Sequence, residues 1–267
     1  MTYRSLAVSP LVLAALSVAL VALASPGAQD GIIQGEIDLS KGLACGGMLL
    51  AALAFDQGDY LRRGWGVWAA TYALLLARDA MLLVHGQVPP LVFDGVRGVL
   101  VTAGNVCVVI GAWTLARAWN VAGLEHPGSR GARRAVVGVA GVLALVFAGP
   151  TLVIDLRDLV QGTTAHLDSI PSDLGDILSL PLIAPVALTA LAVRGGTLRW
   201  PWMLLTASLL AWLVYDAAYT LPDYFYVDAR SVRLVGEQFH VLAGLCACAA
   251  GLAQRRAVTE DDEALSS

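Results

Sequence analysis

Ionisable residues lie inside long apolar segments of the sequence. Asp79 and Asp216 each stand well within such a segment, so each segment holds one carboxylate. A third segment holds Arg233, Glu237 and His240 at spacings of four and three, which places a cation, a carboxylate and an imidazole on one helix face. These side chains could bind a polar ligand, transfer protons or form buried ion pairs.

The cost of placing charge in a membrane indicates where these residues point. An ionisable residue in a membrane helix costs roughly 2.5–3.5 kcal/mol to insert, so those that occur usually face the interior of the bundle and mark a site. Two interpretations stay open. In the first, Asp79 with Arg97 and Asp216 with Arg233 are structural ion pairs. In the second, a polar cavity binds a ligand, and its predicted ligand-binding residues are Asp79, Arg97, Asn105, Asp216, Arg233, Glu237 and His240.

The composition is that of a membrane protein. Of the 267 residues, 57% are hydrophobic and 14% are charged, against roughly 45–50% apolar and about 25% charged in soluble domains. We predict one membrane domain over 1–255, with halves of about 1–120 and 130–255, and a short acidic cytoplasmic tail at 256–267. The net charge of -4 arises largely from loops and this tail, so no nucleic-acid partner is predicted.

Eight apolar runs predict an all-α, polytopic membrane helix bundle with eight transmembrane helices, the second being the shortest. Arginines concentrate in every second connection, which predicts a multi-pass protein of a bacterial inner membrane with both termini in the cytoplasm. The polar groups then converge near the outer face. The runs are Leu6 to Ala24, Gly42 to Phe55, Trp65 to Val84, Val96 to Trp119, Ala135 to Ile154, Ile177 to Val193, Pro201 to Leu221 and Val232 to Ala253.

The first apolar run has features of a signal peptide. Ala22-Leu23-Ala24 before Ser25-Pro26-Gly27 resembles a cleavage site. The run from Leu6 to Ala24 is longer than the apolar core of most signal peptides, which favours a retained helix over a cleaved one.

The two halves of the chain show weak self-similarity. One constant shift along the sequence places Arg62 on Arg199, Trp65 on Trp202, Thr71 on Ser208 and Asp79 on Asp216. This predicts two parallel four-helix repeats, related by an axis along the membrane normal.

The predicted outer loop from Asp155 to Asp176 is rich in carboxylates, which could hold a divalent cation through oxygen ligands. We favour an acidic surface instead, and no metal site is predicted. No cofactor is predicted either, since G-x-S-x-G, P-loop and H-E-x-x-H motifs are absent from the sequence.

Several single residues carry a resemblance to one enzyme family. They are Lys41 opening helix 2, Asp79 deep in helix 3, Phe93-Asp94-Gly95 at the start of helix 4, Tyr215-Asp216 in helix 7 and Gln238 early in helix 8. In these the chain resembles the YhhN-like lysoplasmalogenases, eight-helix membrane hydrolases that cleave the vinyl ether bond of lysoplasmalogens. The resemblance implies that Asp79 and Asp216 are the catalytic acid and base.

The Tyr215-Asp216 step after an apolar run also resembles the N-terminal membrane sensory modules of bacterial diguanylate cyclases and histidine kinases. That resemblance implies ligand sensing, with a signal passed to a separate partner protein. The predicted function is therefore a nonenzymatic sensor or ligand-binding module in the lipid bilayer. A lysoplasmalogenase-like hydrolase of lipid-like substrates, or a small transporter, is the alternative.

Overall fold

The computed structural model describes residues 2–121, 130–162, 169–192, 197–225 and 229–266. Within these ranges the regular structure is helical and no strand occurs, which confirms the all-α prediction. A short 3₁₀ helix at Met81–Val84 extends α3. The long helices are α1 (Tyr3–Leu23), α2 (Pro26–Leu53), α3 (Tyr60–Ala80), α4 (Pro90–Val121), α5 (Arg130–Val160), α6 (Ser169–Ala192), α7 (Arg199–Phe225) and α8 (Ala229–Ser266).

Local sequence signals fix the starts of the first three helices. The Thr2 hydroxyl accepts the backbone N–H of Ser5 at 3.1 Å, and the Asp59 carboxylate accepts the N–H of Leu61 at 2.7 Å. Both residues satisfy a donor that a helix start leaves unpaired. Pro26 occupies the first turn of α2, where a missing N–H costs nothing.

Seven helices of the described chain are long and apolar enough to cross a membrane, namely all of the long ones except α2. The length and hydropathy of these helices are thus compatible with a multi-pass membrane protein. With 28 residues, α2 is about 42 Å long. Its first half, however, carries Asp30, Glu36 and Asp38.

Three predicted helix bounds differ most from the structure. The second helix begins at Pro26 instead of Gly42, the sixth at Ser169 instead of Ile177, and the eighth continues to Ser266 beyond Ala253. Hydropathy places the predicted end of a helix where charged residues begin, whereas a helix continues until a residue such as Gly or Pro ends its hydrogen-bonding pattern. The predicted acidic tail therefore continues α8.

Among the described helices, α2, α3, α4, α6, α7 and α8 pack in this order in a closed ring, and α8 packs back against α2. Outside this ring, α1 packs mainly on α8, while α5 packs on α6 and α7. Large side chains fill the interior, including Trp65, Trp68, Tyr72, Met48 and Leu205, each almost fully buried.

The first helix is bound to the bundle by packing and by a polar contact. Leu6 and Val21 are buried. The Ser17 hydroxyl lies 2.5 Å from Glu36 Oε2 on α2 and 2.7 Å from Gln238 Oε1 on α8. The polar contacts of this one hydroxyl bring three helices together at one point.

The two ends of the chain meet at one end of the bundle. The Tyr3 hydroxyl donates to Glu260 Oε2 at 2.9 Å, and Arg256 Nε donates to Glu260 Oε1 at 2.5 Å. The start of α1 and the distal part of α8 are therefore neighbours.

Candidate functional site

A buried charge cluster joins α2 and α3. The Lys41 ammonium donates to Asp79, and Arg78 Nε donates to Asp79 Oδ1 at 2.6 Å. Lys41 is 0% exposed and Asp79 is 6% exposed. Lys41, Arg78 and Asp79 together carry one net positive charge, and Asp38 of α2 lies close enough to interact electrostatically with all three.

This cluster corrects the expected partner of Asp79. As predicted, Asp79 faces the bundle interior, but it binds Lys41 and Arg78 instead of Arg97. The guanidinium of Arg97 lies 5.4 Å from the centre of the Phe93 ring on its own helix. Because α2 begins at Pro26, Lys41 lies in the middle of that helix and faces α3.

A cavity of about 470 Å³ opens beside this cluster, and helices α3 to α8 all line it. Its volume is in the range of sites that bind small molecules. Three predicted ligand-binding residues line it, namely Asn105, Asp216 and Arg233, and Arg97 does not. Its charged lining comprises Arg78, Asp155, Asp173, Asp176, Asp216 and Arg233.

Three of the acidic residues expected on an outer loop, Asp155, Asp173 and Asp176, line this cavity. Asp155 and Asp173 are 6% and 3% exposed, and Asp155 accepts a hydrogen bond from the Ser169 hydroxyl. The prediction of an acidic surface is therefore wrong for these two residues. Asp168, which the predicted loop also included, lies outside the described residues.

The reason for this error is the true start of α6. Since that helix begins at Ser169, Asp173 and Asp176 lie in its first two turns. The same turns pack on α4, and a Cβ at Gly175 would lie 2.7 Å from Asn105 Oδ1. Carboxylates on this helix face interrupt the apolar pattern without ending the helix.

Two of the carboxyl groups meet across the cavity wall. Asp176 of α6 and Asp216 of α7 lie within hydrogen-bonding reach of each other. Two carboxyl groups form such a bond only when one of them carries a proton. The Oδ2 atoms of Asp173, Asp176 and Asp216 are buried and have no hydrogen-bond partner among the residues that the structure describes.

Aromatic residues lie between the cavity and two of the predicted helix-8 residues, Glu237 and His240. Trp212 and Tyr215 line the cavity, with ring centres 5.7 Å apart in edge-to-face geometry. The His240 ring lies 4.4 Å from each of them, and its Nδ1 is 3.3 Å from Glu237 Oε2. Lys41 Nζ lies 6.0 Å from the centre of the Trp212 ring. Glu237, His240 and Lys41 thus lie behind Trp212 and Tyr215 rather than in the lining.

Comparison of the chain with protein-family models, curated proteins and solved structures finds no match. Within the described part of the chain, no three His, Cys, Asp or Glu side chains are arranged to hold a metal ion. The lining instead offers carboxylate acceptors, guanidinium donors and aromatic faces to an organic ligand.

Sequence reasoning missed several residues of the site. Lys41, Arg78 and Tyr72 were not among the predicted ligand-binding residues. Tyr72 lines the cavity, and its hydroxyl lies 3.1 Å from Ser208 Oγ, which donates to the carbonyl of Ala243 at 2.8 Å. One available signal was that Lys41 is the only lysine of the chain and is followed by an apolar run. Tyr72 had no such signal, since tyrosine is common in membrane helices.

Proposed function

We propose that this protein is a nonenzymatic membrane sensor or ligand-binding module. The observation that carries the proposal is the charged cavity of about 470 Å³ lined by helices α3 to α8. A ligand that bridges residues of several helices stabilises one arrangement of those helices, which is how ligand binding shifts a conformational equilibrium.

The proposed topology has eight membrane-crossing helices with both ends in the cytoplasm, so that the cavity opens near the outer face of a bacterial inner membrane. Two observations support it. The Tyr3–Glu260 hydrogen bond places both chain ends at one end of the bundle. The arginines of the sequence concentrate in every second connection, which favours the cytoplasm for those connections.

The proposed duplication into two parallel four-helix repeats has support from the packing. The pairs α3–α4 and α7–α8 are equivalent under the repeat, and so are the pairs α2–α8 and α4–α6. Trp65 and Trp202, which the shift between the halves aligns, have ring centres 6.4 Å apart. Contact between equivalent residues is expected at a twofold axis.

Signal transfer would follow α8. This helix has 38 residues and is about 57 Å long, so it exceeds the roughly 30 Å hydrocarbon core. Arg233 near its start lines the cavity, and Glu260 near its end contacts Tyr3. A separate signalling protein that binds the distal part of α8 would detect a shift of the helix.

The Asp176–Asp216 pair favours a second candidate, hydrolysis of a lipid-like substrate. Paired carboxyl groups of different protonation can act as general acid and base. Asp79, the other carboxylate implied by the lysoplasmalogenase resemblance, already binds two cations. The acid and base would then be Asp176 and Asp216.

One pair of assays tests both candidates. Thermal unfolding of the detergent-purified protein is measured against a panel of small polar molecules, and the same samples are analysed by mass spectrometry for turnover of lysoplasmalogens and lysophospholipids. Wild type is compared with Asp216→Asn and with Asp94→Asn, a control at an exposed residue outside the cavity.

A binding module should be stabilised by a ligand in the wild type and in Asp94→Asn. This stabilisation should be lost in folded Asp216→Asn, and no product should form in any sample. Product that disappears in folded Asp216→Asn would establish the hydrolase and overturn the sensor. Absence of both stabilisation and product would overturn both candidates.

A further inference from the structure

The cavity lining is divided by charge. Its carboxylates come from α5, α6 and α7, as Asp155, Asp173, Asp176 and Asp216. Its guanidinium groups come from α3 and α8, as Arg78 and Arg233. We refer to these four carboxyl groups as the acidic wall; the guanidinium groups line the same cavity.

The acidic wall has hydrogen-bonding capacity that the described part of the protein does not use. Asp173 is only 3% exposed, and its buried Oδ2 has no hydrogen-bond partner within the described ranges. The buried Oδ2 atoms of Asp176 and Asp216 likewise have no hydrogen-bond partner among the described residues. Buried acceptors of this kind are costly unless a partner satisfies them. An ammonium group brings three donors and a positive charge.

The basic side also has unused donors. Arg78 binds Asp79 through Nε and Nη2, which leaves the two N–H groups of Nη1. The Arg78 side chain is 19% exposed, and it lines the cavity. Because Lys41 binds the same carboxylate, Asp79 does not fully neutralise Arg78. An anionic group in the cavity would therefore be attracted to Arg78.

We infer that the cavity binds a small zwitterion, with its ammonium group on the Asp173, Asp176 and Asp216 carboxyls and its anionic group on Arg78. This inference rests on the proposed binding function and names the class of its ligand. A simple cation leaves Arg78 unmatched, and a simple anion meets the acidic wall. Trp212 and Tyr215 also line the cavity, and aromatic rings attract cations.

The experiment uses 4-aminobutyrate as the zwitterionic probe, with butylamine and butyrate as probes that each lack one charge. Dissociation constants are measured by isothermal titration calorimetry on the full-length protein in detergent at fixed ionic strength. The protein variants are Asp173→Asn, Asp216→Asn and the exposed control Asp94→Asn, each checked for folding by circular dichroism and gel filtration. The second cavity variant keeps the test informative if Asp173→Asn does not fold.

Binding of 4-aminobutyrate should be at least about tenfold tighter than that of either single-charge probe, because charge-assisted hydrogen bonds form at both ends. Asp173→Asn or Asp216→Asn should weaken it by at least about tenfold, and Asp94→Asn should leave it unchanged. Equal binding of butylamine or butyrate would overturn the inference. So would an absence of millimolar binding by every zwitterion tested.

Free zwitterions and zwitterionic lipid head groups share this chemistry, so glycerophosphoethanolamine, which keeps the phosphodiester of a lipid head group, is a further probe. Tighter binding of glycerophosphoethanolamine supports a head-group source, and tighter binding of 4-aminobutyrate supports a free small molecule. If other polar molecules stabilise the protein but no zwitterion binds, the zwitterion inference is overturned and the proposed binding function is retained. If no molecule binds, both the inference and the proposed function are overturned.

Discussion

The ammonium group of Lys41 on α2 binds the carboxylate of Asp79 on α3 inside the bundle, and both side chains are buried. Arg78 binds the second oxygen of the same carboxylate. The three charges stabilise the contact between the two helices only as a set, because a buried charge without its partner is strongly unfavourable. Since Arg78 also lines the cavity, this cluster fixes one wall of the candidate site.

Asp79→Asn should destabilise the protein more than Lys41→Met. The first change removes the carboxylate that pairs with the buried Lys41 and with the partly buried Arg78, for which we expect a loss of about 3–5 kcal/mol. The second leaves Asp79 bound to Arg78, so its cost should be smaller. Equilibrium unfolding in mixed detergent micelles measures both, with Asp94→Asn as the control. In the double variant the cost should be less than the sum; additive costs would show that Lys41 and Asp79 are not coupled.

The sequence was sufficient to predict that Asp79 is buried but not to identify its partner. A lone carboxylate in an apolar helix must face the interior, and this follows from transfer free energy alone. Its partner depends on which helices are neighbours and on where each begins. Because the first half of α2 is polar, hydropathy did not predict the part of this helix that precedes Lys41. Lys41 was therefore predicted to lie at the start of the helix.

The acidic wall of the cavity was not predicted from the sequence, for a related reason. Asp173 and Asp176 stand next to an apolar run, and hydropathy alone places such residues in the adjoining loop. Whether they face solvent or the interior depends on the packing of α6 against α4. Asn105 and Asp216 were found because each interrupts an apolar run at depth, and Arg233 was found because it shares a helix face with Glu237 and His240.

Ser208→Ala should destabilise the protein by roughly 1 kcal/mol, because it removes the bonds that link Tyr72 of α3, Ser208 of α7 and Ala243 of α8. Thr206→Ala is the matched control, since its hydroxyl donates to the Trp202 carbonyl of the same helix. Unfolding midpoints in detergent measure the difference. Equal shifts of the two variants would mean that the link between helices contributes nothing.

Gly47→Ala and Gly46→Ala should act in opposite directions. A Cβ at Gly47 would lie 2.7 Å from the Cys248 carbonyl oxygen of α8, whereas a Cβ at Gly46 meets no described atom within 4 Å. The first change must force α2 and α8 apart. The second replaces glycine by a better helix former and should stabilise the protein by up to about 1 kcal/mol. Thermal unfolding separates them, and a tolerated Gly47→Ala would show that the two helices do not pack this closely.

Cysteines at the two ends of α3 test the proposed orientation. Gly58 and Gln87 are both exposed, and they lie before and after that helix. The proposed topology places Gln87 outside and Gly58 in the cytoplasm. A maleimide that cannot cross membranes should therefore label Gln87→Cys in intact cells and Gly58→Cys only after permeabilisation.

The wild type supplies the background for this labelling, since its four native cysteines lie within helices α2, α4 and α8. We expect little labelling of them in either condition, because their thiols are surrounded by protein and lipid. The reverse pattern, with Gly58→Cys labelled in intact cells, would mean that the protein has the opposite orientation in the membrane. It would then place the cavity at the cytoplasmic face, where the ligand would have to come from inside the cell.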